Sequence, residues 1–193
     1  MVGVGFDKLR LEGNQLNKSF PLTFIDFNSV AKGYAVDVIA DYFKSKGVNN
    51  YLLEIGGELK SSGINIEKNQ PWKVGIEAPN FDGSQSLLKV IQLKQSAMAT
   101  SGTYRKFKID ENGNRYAHII DTNTGYPSKS NILSVSVITN TCGDADAYAT
   151  AFQSMGMSVL RDFLKKYENI KVYVIYQGDD SSIQTESFNG FPE

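Results

Sequence analysis
Asp146 and Thr150 stand four residues apart in Gly143-Asp144-Ala145-Asp146-Ala147-Tyr148-Ala149-Thr150. On a helix, that spacing places a carboxylate and a hydroxyl on one face. Such a pair suits a hard divalent cation, which takes a few oxygen ligands and keeps some waters. The spacing is equally compatible with an aspartate favoured by the helix dipole and a threonine bonding back to the backbone. His118 is the single histidine, in His118-Ile119-Ile120-Asp121-Thr122-Asn123-Thr124-Gly125. An imidazole changes charge near neutral pH, and strand ends that run into loops often carry function. The alternative is a half-buried histidine satisfied by a backbone carbonyl. Together these residues point to metal-assisted phosphate chemistry.

Three further stretches bear on that chemistry. Asp26 to Asp37 spans a strand end and a helix start, where backbone N–H groups favour anions. Lys32 falls in the first helical turn, against the dipole preference, so an anionic ligand would relieve it. Ser96 to Gly102 is rich in small residues and hydroxyls. It reads either as a loop that approaches a phosphate or as a strand with a bulge at Gly102. Cys142 lies near a helix start and reads as a reactive thiol or, more simply, as a small packed residue. No Walker A or G-x-G-x-x-G pattern is present, so ordinary nucleotide folds gain no support.

The elements that must position these residues follow from periodicity. Phe6 to Glu12 alternates, turns at Gly13-Asn14 and resumes over Gln15 to Lys18, which predicts a hairpin. Leu22 to Phe27 reads as a strand. Val30, Ala31, Tyr34, Ala35, Val38, Ile39, Tyr42 and Phe43 recur at helical spacing, with Asn28 or Ser29 as N-cap and Gly47 as the stop. Further strands are expected over Tyr51 to Ile55, around Trp72 to Ile76, and over Leu87 to Leu93, Ile132 to Thr139 and Ile170 to Tyr176. A hairpin is expected around Asp110 to Asn114. Ala145 to Met155 and Val159 to Tyr167 read as helices, and the tail from Gln177 as irregular. Hairpins mixed with a few helices indicate an α+β fold with a mixed or antiparallel sheet and packed helices.

Composition excludes several classes. At 193 residues the chain fits one domain or a large part of one. Hydrophobic residues make up 41% and charged residues 21%, ordinary for a globular protein. With 20 basic and 21 acidic residues interspersed, no basic stripe exists to bind nucleic acid. The apolar runs are too short to span a bilayer, so no transmembrane segment is expected. One cysteine rules out an internal disulfide framework. Met1 to Gly5 lacks the basic and hydrophobic regions of a signal peptide.

Five blocks of the sequence, taken together, resemble the ApbE family of FAD:protein FMN transferases. Asp26 to Asp37 resembles D-x-x-x-x-A-K-G-Y-A-V-D, and Ile55 to Leu59 a G-G-D/E turn. Ala99 to Tyr104 resembles A-T-S-G-x-Y, His118 to Pro127 H-x-I-D-x-x-T-G-x-P, and Ala145 to Thr150 A-D-A-x-A-T. The resemblance implies an ApbE-like, T-fold-like α+β domain over 1–193, N-terminally truncated relative to the family. It implies Mg²⁺ as cofactor and FAD as substrate. The implied reaction moves FMN onto a threonine or serine hydroxyl of a target flavoprotein and releases AMP. An FAD pyrophosphatase, or a non-catalytic flavin-binding remnant, are the alternatives. By the same resemblance Asp146 and Thr150 are metal ligands, with the backbone carbonyl of Ser29 as a third. Asp26, Lys32 and the backbone at Ile120 contact FAD. His118 is the catalytic residue, with Asp121 in reserve. The parent protein is expected to be periplasmic or otherwise extracytoplasmic, as a lipoprotein.

Overall fold
The computed structural model describes residues 2–103, 107–109, 115–117, 119–122, 124–128 and 130–193. Elements follow in chain order as β1 (Leu9–Glu12), β2 (Gln15–Lys18), α1 (Ala31–Ser45), β3 (Tyr51–Ile55), β4 (Glu58–Ser62), β5 (Trp72–Glu77), β6 (Leu87–Leu93) and β7 (Ala97–Gly102). They continue as β8 (Phe107–Ile109), β9 (Arg115–Ala117), β10 (Ile132–Thr139), α2 (Cys142–Met155), α3 (Met157–Leu164), β11 (Lys171–Gln177) and β12 (Ile183–Phe188). This is the α+β class that the periodicities indicate.

Six strands form the central sheet, in the order β12-β11-β10-β7-β4-β3, and every neighbouring pair is antiparallel. Each central strand is sandwiched, because its residues alternate between two apolar layers. On β11, Val172 and Val174 face the layer holding Phe152 of α2 and Leu160 and Leu164 of α3. Tyr173 and Ile175 face the opposite layer, where Val74 and Ile76 of β5 and Ile91 and Leu93 of β6 close the far side. The result is helices, a sheet and a covering hairpin, stacked in that order. Among the described residues, no helix is long and apolar enough to cross a membrane.

Several expectations are corrected. Leu22 to Phe27 is not a strand: Leu22 and Phe24 are exposed, and the segment pairs with no sheet among the described residues. An apolar run becomes a strand only where a neighbour takes its backbone hydrogen bonds. Conversely, the polar tail contains β12, because the exposed edge of β11 supplies those bonds. Gly56-Gly57 turns directly into β4, another strand that the sequence did not announce. The first hairpin begins at Leu9, after a 3-10 turn over Phe6–Lys8. Ser96 to Gly102 resolves to β7, whose register with β10 is unbroken from Gly102 to Ala97, so no bulge sits at Gly102. The third helix starts at Met157, straight after Gly156, whose φ of 75° breaks α2 from α3. The N-cap of α1 is Val30 rather than Asn28 or Ser29, and it makes no side-chain capping bond.

Candidate functional site
The site forms where α1 meets α2. Gly33 of α1 is buried, and a Cβ built on it would lie 2.3 Å from the Cys142 carbonyl oxygen and 2.9 Å from the Asp146 Cβ. Only glycine permits this approach. The two helices therefore touch backbone to backbone, and the Gly33 N–H donates to Asp146 Oδ2 at 3.1 Å. Asp146 is 3% exposed. A carboxylate so buried needs that donor or a cation to offset its lost hydration.

The turn before α1 is organised around the same point. Asp26 is exposed and accepts the Asn28 N–H at 2.6 Å and the Asn28 side-chain amide at 3.1 Å, which folds the chain towards Ser29. The N–H groups of Val30 and Ala31 donate to the Phe27 carbonyl, and that of Tyr34 to the Val30 carbonyl. No described bond reaches the Ser29 carbonyl, because the Gly33 N–H that would close the turn goes to Asp146. The described N–H groups of Val30, Ala31, Gly33 and Tyr34 are thus all engaged, which leaves the Lys32 N–H and ammonium as the groups at this helix start that could meet an anion.

Lys32 rises from this turn and donates to Glu58 Oε1 of β4 at 2.6 Å. The pair is lopsided: the lysine side chain is 45% exposed and the glutamate 2%. Burial pushes the Glu58 carboxyl up; Lys32 opposes that shift, and the nearby Asp146 charge adds to it. Glu58 Oε2 is buried and has no hydrogen-bond partner among the described residues. Glu58 was not among the expected site residues, although the Gly56-Gly57-Glu58 turn carried the signal.

Thr150 lies one turn beyond Asp146 on α2, half-buried, with its hydroxyl 3.4 Å from that of Ser101 on β7. The donor set of Asp146, Thr150 and the Ser29 carbonyl is all oxygen. Among the described residues no three His, Cys, Asp or Glu side chains gather as a metal cluster. One or two carboxylates, supplemented by substrate phosphates, is the pattern that suits Mg²⁺, so the residues present fit that ion. Ile120 belongs to a different turn, pairing with Pro127 and 49% exposed. That turn is tied to the end of α2 through the Ser128 hydroxyl, which donates to the Ser154 carbonyl at 3.0 Å. The Asp121 N–H donates to the Tyr126 carbonyl within it. His118 lies outside the described residues. Cys142 is buried, and burial pushes its thiol up to about 12, so it is a packed residue rather than a nucleophile.

A fold with this helix junction and these blocks defines a class. The ApbE family profile matches residues 1–174, and the chain belongs to the ApbE family. It is similar to an FAD:protein FMN transferase of Vibrio cholerae, at 42% identity over 79% of this chain and 45% of the relative. An FAD:protein FMN transferase of Haemophilus influenzae is 37% identical over 97% of this chain and 54% of its own length. Among solved structures, the flavin transferase ApbE from Vibrio cholerae superposes with a TM-score of 0.87 at 36% identity, covering 98% of this chain and 59% of that one. The apo Pseudomonas stutzeri flavinyl transferase ApbE gives 0.81 at 33% identity, covering 96% and 56%. The chain thus spans about half the length of the curated relatives it matches.

Proposed function
We propose that this chain carries the pyrophosphate-handling part of an FAD:protein FMN transferase, which moves FMN from FAD to a threonine or serine hydroxyl of a target flavoprotein. The observation that carries this reading is the α1–α2 junction, where Asp146 takes the Gly33 N–H beside an uncapped helix start. The names of the relatives support FMN transfer from FAD to a protein, and the hydroxyl acceptor belongs to the proposal. In it, the acceptor oxygen bonds to the flavin-side phosphorus as that phosphorus parts from the bridging oxygen. AMP leaves with the bridging oxygen, and the hydroxyl proton passes to a base.

Each residue then has a task. The backbone N–H and the ammonium of Lys32, at the start of α1, hold the pyrophosphate. Asp26 shapes the turn that presents the Ser29 carbonyl. Asp146, Thr150 and that carbonyl would hold Mg²⁺, which when bound supplies positive charge against the phosphate oxygens. The backbone at Ile120 borders the flavin, and His118 is the candidate to receive the hydroxyl proton. Positioning and charge neutralisation account for most of the catalysis in such transfers.

The test is covalent labelling. The full-length protein, with FAD, Mg²⁺ and an acceptor flavoprotein, should produce a fluorescent acceptor band in a denaturing gel, and Asp146→Ala should abolish it. Undiminished labelling by that variant would refute the metal role. AMP release without any acceptor would favour FAD hydrolysis instead.

A further inference from the structure
Asp37 closes the block that begins at Asp26, yet none of the tasks above uses it. It lies on α1, one turn beyond Gly33, and its carboxylate reaches across to α2. Oδ1 accepts the Cys142 N–H at 3.0 Å and Oδ2 the Gly143 N–H at 2.9 Å. These are the first two residues of α2. The Lys60 ammonium of β4 also pairs with Oδ1. Burial pushes the Asp37 carboxyl up, but the two N–H groups and Lys60 outweigh it and hold the group below its ordinary value, so it is charged at neutral pH.

Helix α2 does not need Asp37 in order to start. Its own N-cap, Thr141, accepts the Asp144 N–H at 3.2 Å through its hydroxyl. What Asp37 adds is a second tie between α2 and α1. Residues 33 and 37 of α1 meet residues 142 to 146 of α2. One contact would fix only a distance; two, a turn apart, also fix the rotation of α2 about its axis. That rotation decides where Asp146 and Thr150 point.

We propose that Asp37 is a positioning residue, which clamps the first turn of α2 to α1 so that Asp146 and Thr150 face a divalent cation beside Ser29. The inference rests on the cation reading of that face. It is tested by titrating the full chain with Mn²⁺, a paramagnetic substitute for Mg²⁺, and following the free ion by electron paramagnetic resonance. Asp37→Ala should weaken binding about tenfold, as is usual for losing a group that orients a metal ligand, with the helical circular dichroism retained. Asp37→Asn keeps one carbonyl acceptor for the two N–H groups and should recover part of the loss. Thr141→Ala removes the local cap, spares the clamp and should bind Mn²⁺ as the wild type does. Wild-type affinity in Asp37→Ala, or an equal loss in Thr141→Ala, overturns the proposal. Asp146→Ala separates the two readings. If it binds Mn²⁺ normally, the cation site lies elsewhere and both readings fall. If it loses binding while Asp37→Ala does not, only the role of Asp37 falls.

Discussion

Glu58 shows how one residue's surroundings set its chemistry. Its carboxylate is 2% exposed, holds Lys32 with one oxygen and leaves the other without a partner among the described residues. The folded chain therefore binds the Glu58 proton more tightly than the unfolded chain does, with a value raised above the ordinary 4.5. A raised value contributes stability that is full below 4.5 and is lost as pH rises through the folded value. Glu58→Gln keeps the shape and removes the charge. Its melting temperature, relative to the wild type, should climb as pH is raised from acid towards neutrality. A difference that stays flat with pH would contradict this account. The expected site residues Asp146 and Thr150 were legible as a helical pair, because a spacing of four on a helix fixes a shared face. Glu58 was legible only as the acidic residue of the Gly56-Gly57 turn; its pairing with Lys32, 26 positions away in sequence, was not.

At the level of elements, the α1–α2 contact hangs on the missing side chain at Gly33. Helix propensity alone favours Gly33→Ala by about 1 kcal/mol. Against that stands a Cβ placed 2.3 Å from the Cys142 carbonyl oxygen, which must drive the helices apart. Overpacking of this kind costs about 1–3 kcal/mol, occasionally more, and here the obstacle is backbone that cannot rotate away. The variant should unfold at lower denaturant and lose Mn²⁺ affinity together, as measured by urea titration and paramagnetic resonance. A more stable variant would show that the helices can separate freely. Elements with strong periods, such as α1, β5 and β10, were readable from the sequence because burial of one face or both imposes the pattern. β12 and the run from Leu22 to Phe27 were not, since an edge strand exists only where a neighbour offers hydrogen bonds.

Over the whole molecule, a six-stranded sheet holds the helical site layer on one side and the β5–β6 hairpin on the other. Large apolar side chains remain on the surface near the start of α1, among them Phe24 at 85%, Phe27 at 63% and Tyr34 at 67% exposure. Exposed aromatic surface beside the proposed pyrophosphate site suits a ligand that joins a ring system to a phosphate. The 193-residue chain titrated with FAD should therefore quench flavin fluorescence in the presence of Mg²⁺, and less so in its absence. Asp146→Ala should remove the Mg²⁺ dependence. Identical quenching with and without the ion would argue against a shared cation and pyrophosphate site.

Local sequence was enough for the α+β class, for the helix that carries Asp146 and Thr150, and for five blocks that resemble the ApbE family, to which the profile match over residues 1–174 assigns the chain. Those features are local: periodicity and spacing act over a few residues, where the chain is its own context. Tertiary structure alone decided that Gly33 gives its N–H to Asp146, that Asp37 ties α1 to α2, and that Glu58 is buried under Lys32. Each of these joins residues 26 to 113 positions apart. Such contacts form only once burial has removed water as the competing partner.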